Sequence, residues 1–144
     1  MDDHKEPSRI LIIEDNPDDT FFLTRQLNRA KLDDHVTVIS DGQEALDFLL
    51  KNSEEDGLQF VAVFLDLRLP SLDGLPLLRK LRENPRLHDI PVIVMTSSNE
   101  DRDIEECQRL AVKAYVTKPV RLTEFIKAVA HVFPPLTESV AATS

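Results

Sequence analysis

Ile10-Leu11-Ile12-Ile13-Glu14-Asp15-Asn16-Pro17-Asp18-Asp19 is the stretch that decides the fold. Four consecutive apolar residues suit a strand covered on both faces, because a half-exposed strand would alternate apolar with polar. The run ends in two acids, and Asn16-Pro17-Asp18-Asp19 then reads as an N-cap, a proline at the first helical position and acids in the first turn. A buried strand, a carboxylate pair and a helix start therefore follow one another within a single short segment.

The same pattern repeats along the chain. Further apolar runs at Val36 to Ile39, Phe60 to Leu65, Val92 to Met95 and Ala114 to Val116 alternate with helical periodicity. The first helix extends to about Ala30, with Phe22, Leu23, Leu27 and Ala30 expected inward. The second starts at Asp41, with Glu44 completing a capping box and Ala45, Leu46, Leu49 and Leu50 as its apolar stripe, and stops in the polar stretch Asn52 to Gly57. The third runs Gly74 to Asn84 before Pro85, facing the sheet with Leu75, Leu78 and Leu81. Ser98 and Asp101 open a weaker fourth with Ile104, Cys107 and Leu110. The fifth, Leu122 to Phe133, aligns Leu122, Phe125, Ile126, Val129 and Phe133 and ends at Pro134-Pro135. Strands alternating with helices imply an α/β, doubly wound, five-stranded parallel sheet with helices on both faces.

Composition narrows the function classes. The chain has 144 residues, with 17 basic and 26 acidic side chains for a net charge of −9, and 42% of its residues are apolar. That length predicts one domain, with no room for a second effector domain. The expected layout is a short disordered start (1–7), one domain (8–134) and a disordered tail (135–144). A single cysteine excludes an internal disulfide or a cysteine-based zinc cluster and suits the cytoplasm. No signal-type or membrane-spanning apolar run is present, and no Lys/Arg cluster supports nucleic-acid binding. Three scattered glycines, Gly42, Gly57 and Gly74, cannot form a dinucleotide fingerprint or a Walker loop.

The strands end in a narrow set of polar groups: Glu14-Asp15, Asp66, Thr96 and Lys118. In an open parallel sheet these ends share one edge, and ligands bind there where the strand order reverses. If the strands take a flavodoxin-like order 2-1-3-4-5, strands one and three are neighbours at that point, and Glu14, Asp15 and Asp66 would then converge. Crowded carboxylates must take up protons or bind a cation, and hard oxygen donors without nearby His or Cys favour Mg²⁺. Lys118 offers a point charge and Thr96 a hydroxyl donor to phosphoryl oxygens. The set suits an aspartate that attacks phosphorus and carries an acyl phosphate.

Ile12-Ile13-Glu14-Asp15-Asn16, Leu65-Asp66-Leu67-Arg68-Leu69-Pro70 with Asp73-Gly74, Met95-Thr96-Ser97-Ser98 and Tyr115-Val116-Thr117-Lys118-Pro119 together resemble the receiver domain of two-component response regulators. The resemblance spans about Ser8 to Phe133, and four blocks in order are specific where one alone is weak. It implies the flavodoxin-like receiver fold, with Asp66 as phosphoacceptor. It further implies Asp15, Asp66 and the Arg68 carbonyl as Mg²⁺ ligands, and Glu14 acting through a metal-bound water. Thr96 and Tyr115 are then a coupled switch, and Lys118-Pro119 a cis peptide. A sensor histidine kinase is the implied phosphoryl donor, and output passes through the fourth helix, fifth strand and fifth helix. The Asn16-Pro17-Asp18-Asp19 spacing and the long loop before Phe60 are similar to single-domain regulators that pair with bacterial phytochromes.

Plainer roles stand beside these. Tyr115 can be a half-buried core ring, Cys107 a core filler, Glu54-Glu55-Asp56 a solvated loop, and His4, His35, His88 and His131 solvated residues without ligand spacing. Ala111 stands where receivers commonly have glycine, which is expected to stiffen the turn before the fifth strand. Arg68 and Ser98 flank the route of water to the acyl phosphate, so a long cation at Arg68 is expected to alter phosphate lifetime. Two competing functions fit part of the same residue set. An aspartyl-nucleophile phosphohydrolase uses a similar set but wants an acid where Arg68 stands; a degenerate receiver would bind partners without phosphate but should lack the acid pocket. The prolines after the fifth helix predict a weak or phosphorylation-dependent homodimer.

Overall fold

The computed structural model describes residues 10–32, 36–53, 62–96 and 101–132. The expectations for Phe60, Ser98, Phe133, Pro134-Pro135, residues 54–56, His4, His35 and both termini lie outside them. Five strands, β1 (Ile10–Ile13), β2 (Val36–Ile39), β3 (Ala62–Asp66), β4 (Val92–Thr96) and β5 (Ala114–Thr117), alternate with α1 (Pro17–Arg29), α2 (Gly42–Asn52), α3 (Gly74–Glu83), α4 (Asp101–Arg109) and α5 (Leu122–Val132). All strand pairs are parallel in the order β2-β1-β3-β4-β5.

Pleating sends alternate side chains of each central strand to opposite faces, and each face has its own core. Leu11, Ile13, Val63 and Leu65 pack with α2, α3 and Cys107 of α4. Ile10, Ile12, Phe64, Ile93 and Met95 pack with Leu23 and Leu27 of α1 and with α5, where the Phe125 ring stacks on Phe64 at 4.5 Å between centroids. The edge strands differ: β2 and β5 are only half covered, so their apolar runs are shorter or interrupted.

Helix starts follow local chemistry. The Asn16 side chain accepts from the backbone N–H of Asp18 and Asp19, and Asp41 accepts from that of Glu44. The second Asp41 oxygen is taken by the Ser71 hydroxyl at 2.6 Å, a partner thirty residues away that a local capping box does not foresee. Two inward assignments need correction. Phe22 is 39% exposed, because the face of α1 centred on Leu23 and Leu27 turns it aside. In α3 the buried residues are Leu77, Leu78 and Leu81, with Leu75 only partly covered.

Two helix ends, those of α1 and α4, use left-handed caps without glycine. Lys31 (φ 59°) and Ala111 (φ 60°) each follow a helix end, and the next N–H bonds back to Leu27 and Cys107 respectively, the Schellman pattern. Arg82 from α3 secures the second cap, donating to the carbonyls of Leu110 (2.7 Å), Ala111 (3.3 Å), His88 (3.0 Å) and Ile90 (2.7 Å). An alanine at positive φ carries strain that glycine lacks, partly offset by glycine's larger entropy loss. Ala111→Gly is expected to stabilise the fold by about 0.5–1 kcal/mol in urea unfolding; a less stable variant would show the cap to be unstrained.

Candidate functional site

The carboxyl ends of β1, β3, β4 and β5 bring five of the expected residues to one edge. Glu14 continues β1, its N–H donating to the Ile39 carbonyl, and its side chain turns under the pocket, 2% exposed. Asp66 closes β3 at 4% exposure, and Asp15 is exposed on the rim. Carboxylate oxygens of Glu14, Asp15 and Asp66 lie within 4.8 Å of one another.

Lys118 follows β5, with its N–H bonded to the Thr96 carbonyl. Its ammonium donates to Asp66 Oδ2 (3.0 Å) and to Glu14 Oε1 and Oε2 (3.2 and 3.3 Å), and lies 3.2 Å from Asp19 Oδ2. Asp66 Oδ1 accepts from the Arg68 N–H at 3.1 Å, which orients the carboxylate from both sides. Thr96 ends β4 beside Thr117 in register. The Lys118-Pro119 peptide is cis. Tyr115 stands apart from this group: the residue is 36% exposed and its hydroxyl donates to the Ile104 carbonyl of α4 at 3.2 Å.

Two features of the site have no counterpart in the local sequence: the place of Asp19 and the bonding of the 67–73 loop. The sequence marks Asp19 only as a first-turn acid, yet its place in the first turn of α1 brings its carboxylate to the Lys118 ammonium. The 67–73 loop is the other: Gly74 donates to the Leu67 carbonyl, Leu69 to Asp73 Oδ1, and Gly42 to the Pro70 carbonyl. These bonds fold the segment after Asp66 tightly against α2 and α3.

Electrostatically the pocket has more negative charge than one lysine neutralises. Burial, then the Asp66 side chain, push Glu14 up from its ordinary range to about 7, against the opposing Asn16 N–H and Lys118. Burial works against the Lys118 charge, but Asp66 and Glu14 outweigh it and hold the ammonium well above the ordinary lysine range. A hard-oxygen cluster that holds a proton near neutrality fits a divalent cation, which would take the proton's place.

The raised Glu14 pKa has a definite sign for stability. Its contribution is full below the unfolded carboxylate pKa and is lost as pH rises through about 7. Without divalent metal, unfolding free energy should therefore fall by up to about 3 kcal/mol between roughly pH 5 and 8. Lys118 stays charged throughout that window. Added Mg²⁺ should restore stability at the alkaline end, and Glu14→Gln should flatten the metal-free profile. Urea titrations along the pH series test this; an unchanged slope in Glu14→Gln would assign it to other groups.

A buried aspartate at a strand end, flanked by two acids and a lysine on an open parallel sheet, defines a phosphoryl-accepting signalling domain. The chain belongs to the response regulator receiver domain family, whose model matches residues 10–130. It is 33% identical over 129 residues to response regulator Rcp1 of Synechocystis sp., covering 89% of this chain and 88% of Rcp1. Among solved structures, the bacteriophytochrome response regulator AtBRR matches with 37% identity and a TM-score of 0.74, covering 90% of this chain and 94% of that one. The Mn(2+)-bound form of Rcp1 matches with 31% identity and a TM-score of 0.70, over 90% and 94% of the two chains. The protein is thus a phosphoacceptor of two-component signalling. Among the described residues no helix is long and apolar enough to cross a membrane.

Proposed function

We propose that Asp66 accepts a phosphoryl group from the phosphohistidine of a sensor histidine kinase, in a Mg²⁺-dependent reaction. One observation carries the reading: the buried Asp66 carboxylate is held at 3.0 Å by the Lys118 ammonium inside a cluster of three acids whose carboxylate oxygens lie within 4.8 Å of one another. An Asp66 oxygen attacks phosphorus; the new P–O bond forms as the donor P–N bond breaks, and the electron pair leaves on the imidazole nitrogen, which takes up a proton. Lys118, already at Asp66, moves its charge onto the incoming phosphoryl oxygens, and the Thr96 hydroxyl donates to another. In dephosphorylation water attacks phosphorus, the P–O bond to Asp66 breaks, and carboxylate and inorganic phosphate are released.

Asp15, Asp66 and the Arg68 carbonyl would hold Mg²⁺ directly and Glu14 through water, in the receiver of residues 8–134. When bound, Mg²⁺ supplies positive charge for the phosphoryl oxygens. Phosphate draws Thr96 toward Asp66, Tyr115 leaves the Ile104 carbonyl for the vacated space, and the α4-β5-α5 face changes affinity for its partner. This is a shift in an existing equilibrium. The protein acts in the cytoplasm, binds no nucleic acid, turns over no metabolite, and forms at most a weak or phosphorylation-dependent homodimer. The likeness to AtBRR makes a bacteriophytochrome the first kinase to test.

Incubation with a small acyl-phosphate donor and Mg²⁺, followed by a phosphate-affinity gel and a free-phosphate assay, tests the function. Lasting label supports the switch. Rapid release over many turnovers would make the protein a phosphohydrolase, and no label would make it a phosphate-independent adaptor.

A further inference from the structure

The turn that carries Lys118 into the pocket is held from an unexpected side. Its first N–H, on Lys118, bonds to the end of β4, and Pro119 has no N–H to offer. Further along the turn come the Val120 carbonyl and the Leu122 N–H, the first of α5. Both are satisfied by one side chain: Gln26 Nε2 donates to the Val120 carbonyl at 3.0 Å, and Gln26 Oε1 accepts from the Leu122 N–H at 2.7 Å. One acceptor and one donor to residues two apart is the bonding a neighbouring strand would supply. Gln26 is on α1, more than ninety residues away in sequence.

The same helix also holds the tip of Lys118. Asp19, seven residues before Gln26 and so two turns along the same face, lies 3.2 Å from the ammonium. α1 therefore grips Lys118 twice, at its charge and at the backbone that launches it. Glutamine suits the second task because it has both a donor and an acceptor; asparagine is a methylene shorter, and ionised glutamate cannot donate.

We infer that Gln26 is a positioning residue for phosphoryl transfer: it fixes the 118–122 turn, and through it the reach of Lys118 Nζ to Asp66. The inference rests on the proposed roles of Asp66 and Lys118. Gln26 touches neither reacting atom, and its effect passes wholly through Lys118.

Gln26→Met keeps length and helix propensity and removes both bonds. At saturating Mg²⁺ and small acyl-phosphate donor, the rate of Asp66 labelling is expected to fall about tenfold or more, since small misplacements of a catalytic group have large rate effects. Mg²⁺ affinity by calorimetry should stay within about twofold, because no metal-binding side chain is altered. In a Lys118→Ala background the same substitution should change the rate by less than about twofold, there being no ammonium left to position. A wild-type rate in Gln26→Met, or an equal loss in both backgrounds, overturns the inference. Should Gln26→Met not fold, Gln26→Glu keeps the Leu122 bond and loses the Val120 bond; it is expected to give an intermediate rate, and a wild-type rate there overturns the inference as well. Absence of label on wild type is a different failure: it removes the Asp66 reading itself.

Discussion

Asp66→Asn is expected to lose, to below detection, the phosphate label that the wild-type protein should acquire from a small acyl-phosphate donor. The substitution keeps the shape of the side chain and one of its polar contacts: an amide oxygen can still accept from the Arg68 N–H, which approaches Oδ1 at 3.1 Å in the wild type, whereas the amide NH2 cannot accept from the Lys118 ammonium as Oδ2 does at 3.0 Å. What it removes is the nucleophile, because an amide has no anionic oxygen to form an acyl phosphate. It also removes one negative charge from a cluster whose three carboxylates lie within 4.8 Å, so Mg²⁺ affinity should fall as well. Glu14→Gln separates these effects, since it is expected to weaken metal binding by about 10- to 100-fold while leaving the proposed nucleophile in place. At saturating Mg²⁺ the Glu14→Gln protein should still be labelled, and Asp66→Asn should not. Equal labelling of Asp66→Asn and wild type would move the phosphoacceptor to another acid, with exposed Asp15 the first to test.

Gly42→Ala is expected to have the largest effect on stability. A Cβ at this position would lie 1.7 Å from the Leu72 carbonyl oxygen and 2.8 Å from its carbon. Both atoms are backbone, so no rotamer change relieves the clash. The Leu72 segment is itself tied down by the Gly42 N–H to the Pro70 carbonyl, by Ser71 at φ 67° and by the Ser71 hydroxyl on Asp41. Alanine's better helix propensity, about 1 kcal/mol, cannot offset moving that loop. A loss of about 3 kcal/mol or more, or a Tm about 10 °C lower, should appear in denaturation. Stability within about 0.5 kcal/mol of wild type would mean that the loop yields easily. Gly74→Ala is the functional companion, since its Cβ would meet the Asp66 carbonyl oxygen at 2.6 Å and Leu67 Cα at 2.5 Å. It should slow labelling beyond its cost in stability because it displaces the backbone of Asp66, the proposed phosphoacceptor.

Much of the fold could be read locally. The unbroken apolar runs of the central strands, the Asn16 cap with Pro17 behind it, and the Asp41 cap each lie within a few residues of the structure they dictate. The acid cluster was legible for a topological reason: parallel strands in the order β2-β1-β3-β4-β5 send their carboxyl ends to one edge, wherever the helices pack. Phe22 shows where this reasoning stops. It falls near the apolar stripe of α1, but the angle at which Leu23 and Leu27 meet the sheet leaves it exposed. Helix rotation is a property of the whole interface.

By itself, then, the sequence determined the strands, the helices and the meeting of Glu14, Asp15, Asp66 and Lys118, because each follows from short-range periodicity and strand-end topology. Only the tertiary structure decided how these groups are held. The grip of Gln26 on the Lys118 turn, Asp19 beside the ammonium, Arg82 on the α4 cap and the contact of Gly42 with Leu72 join segments far apart in the chain. None has a local signature, because a glutamine, an acid, an arginine or a glycine gains its role only from the partner that packing brings within about 3 Å.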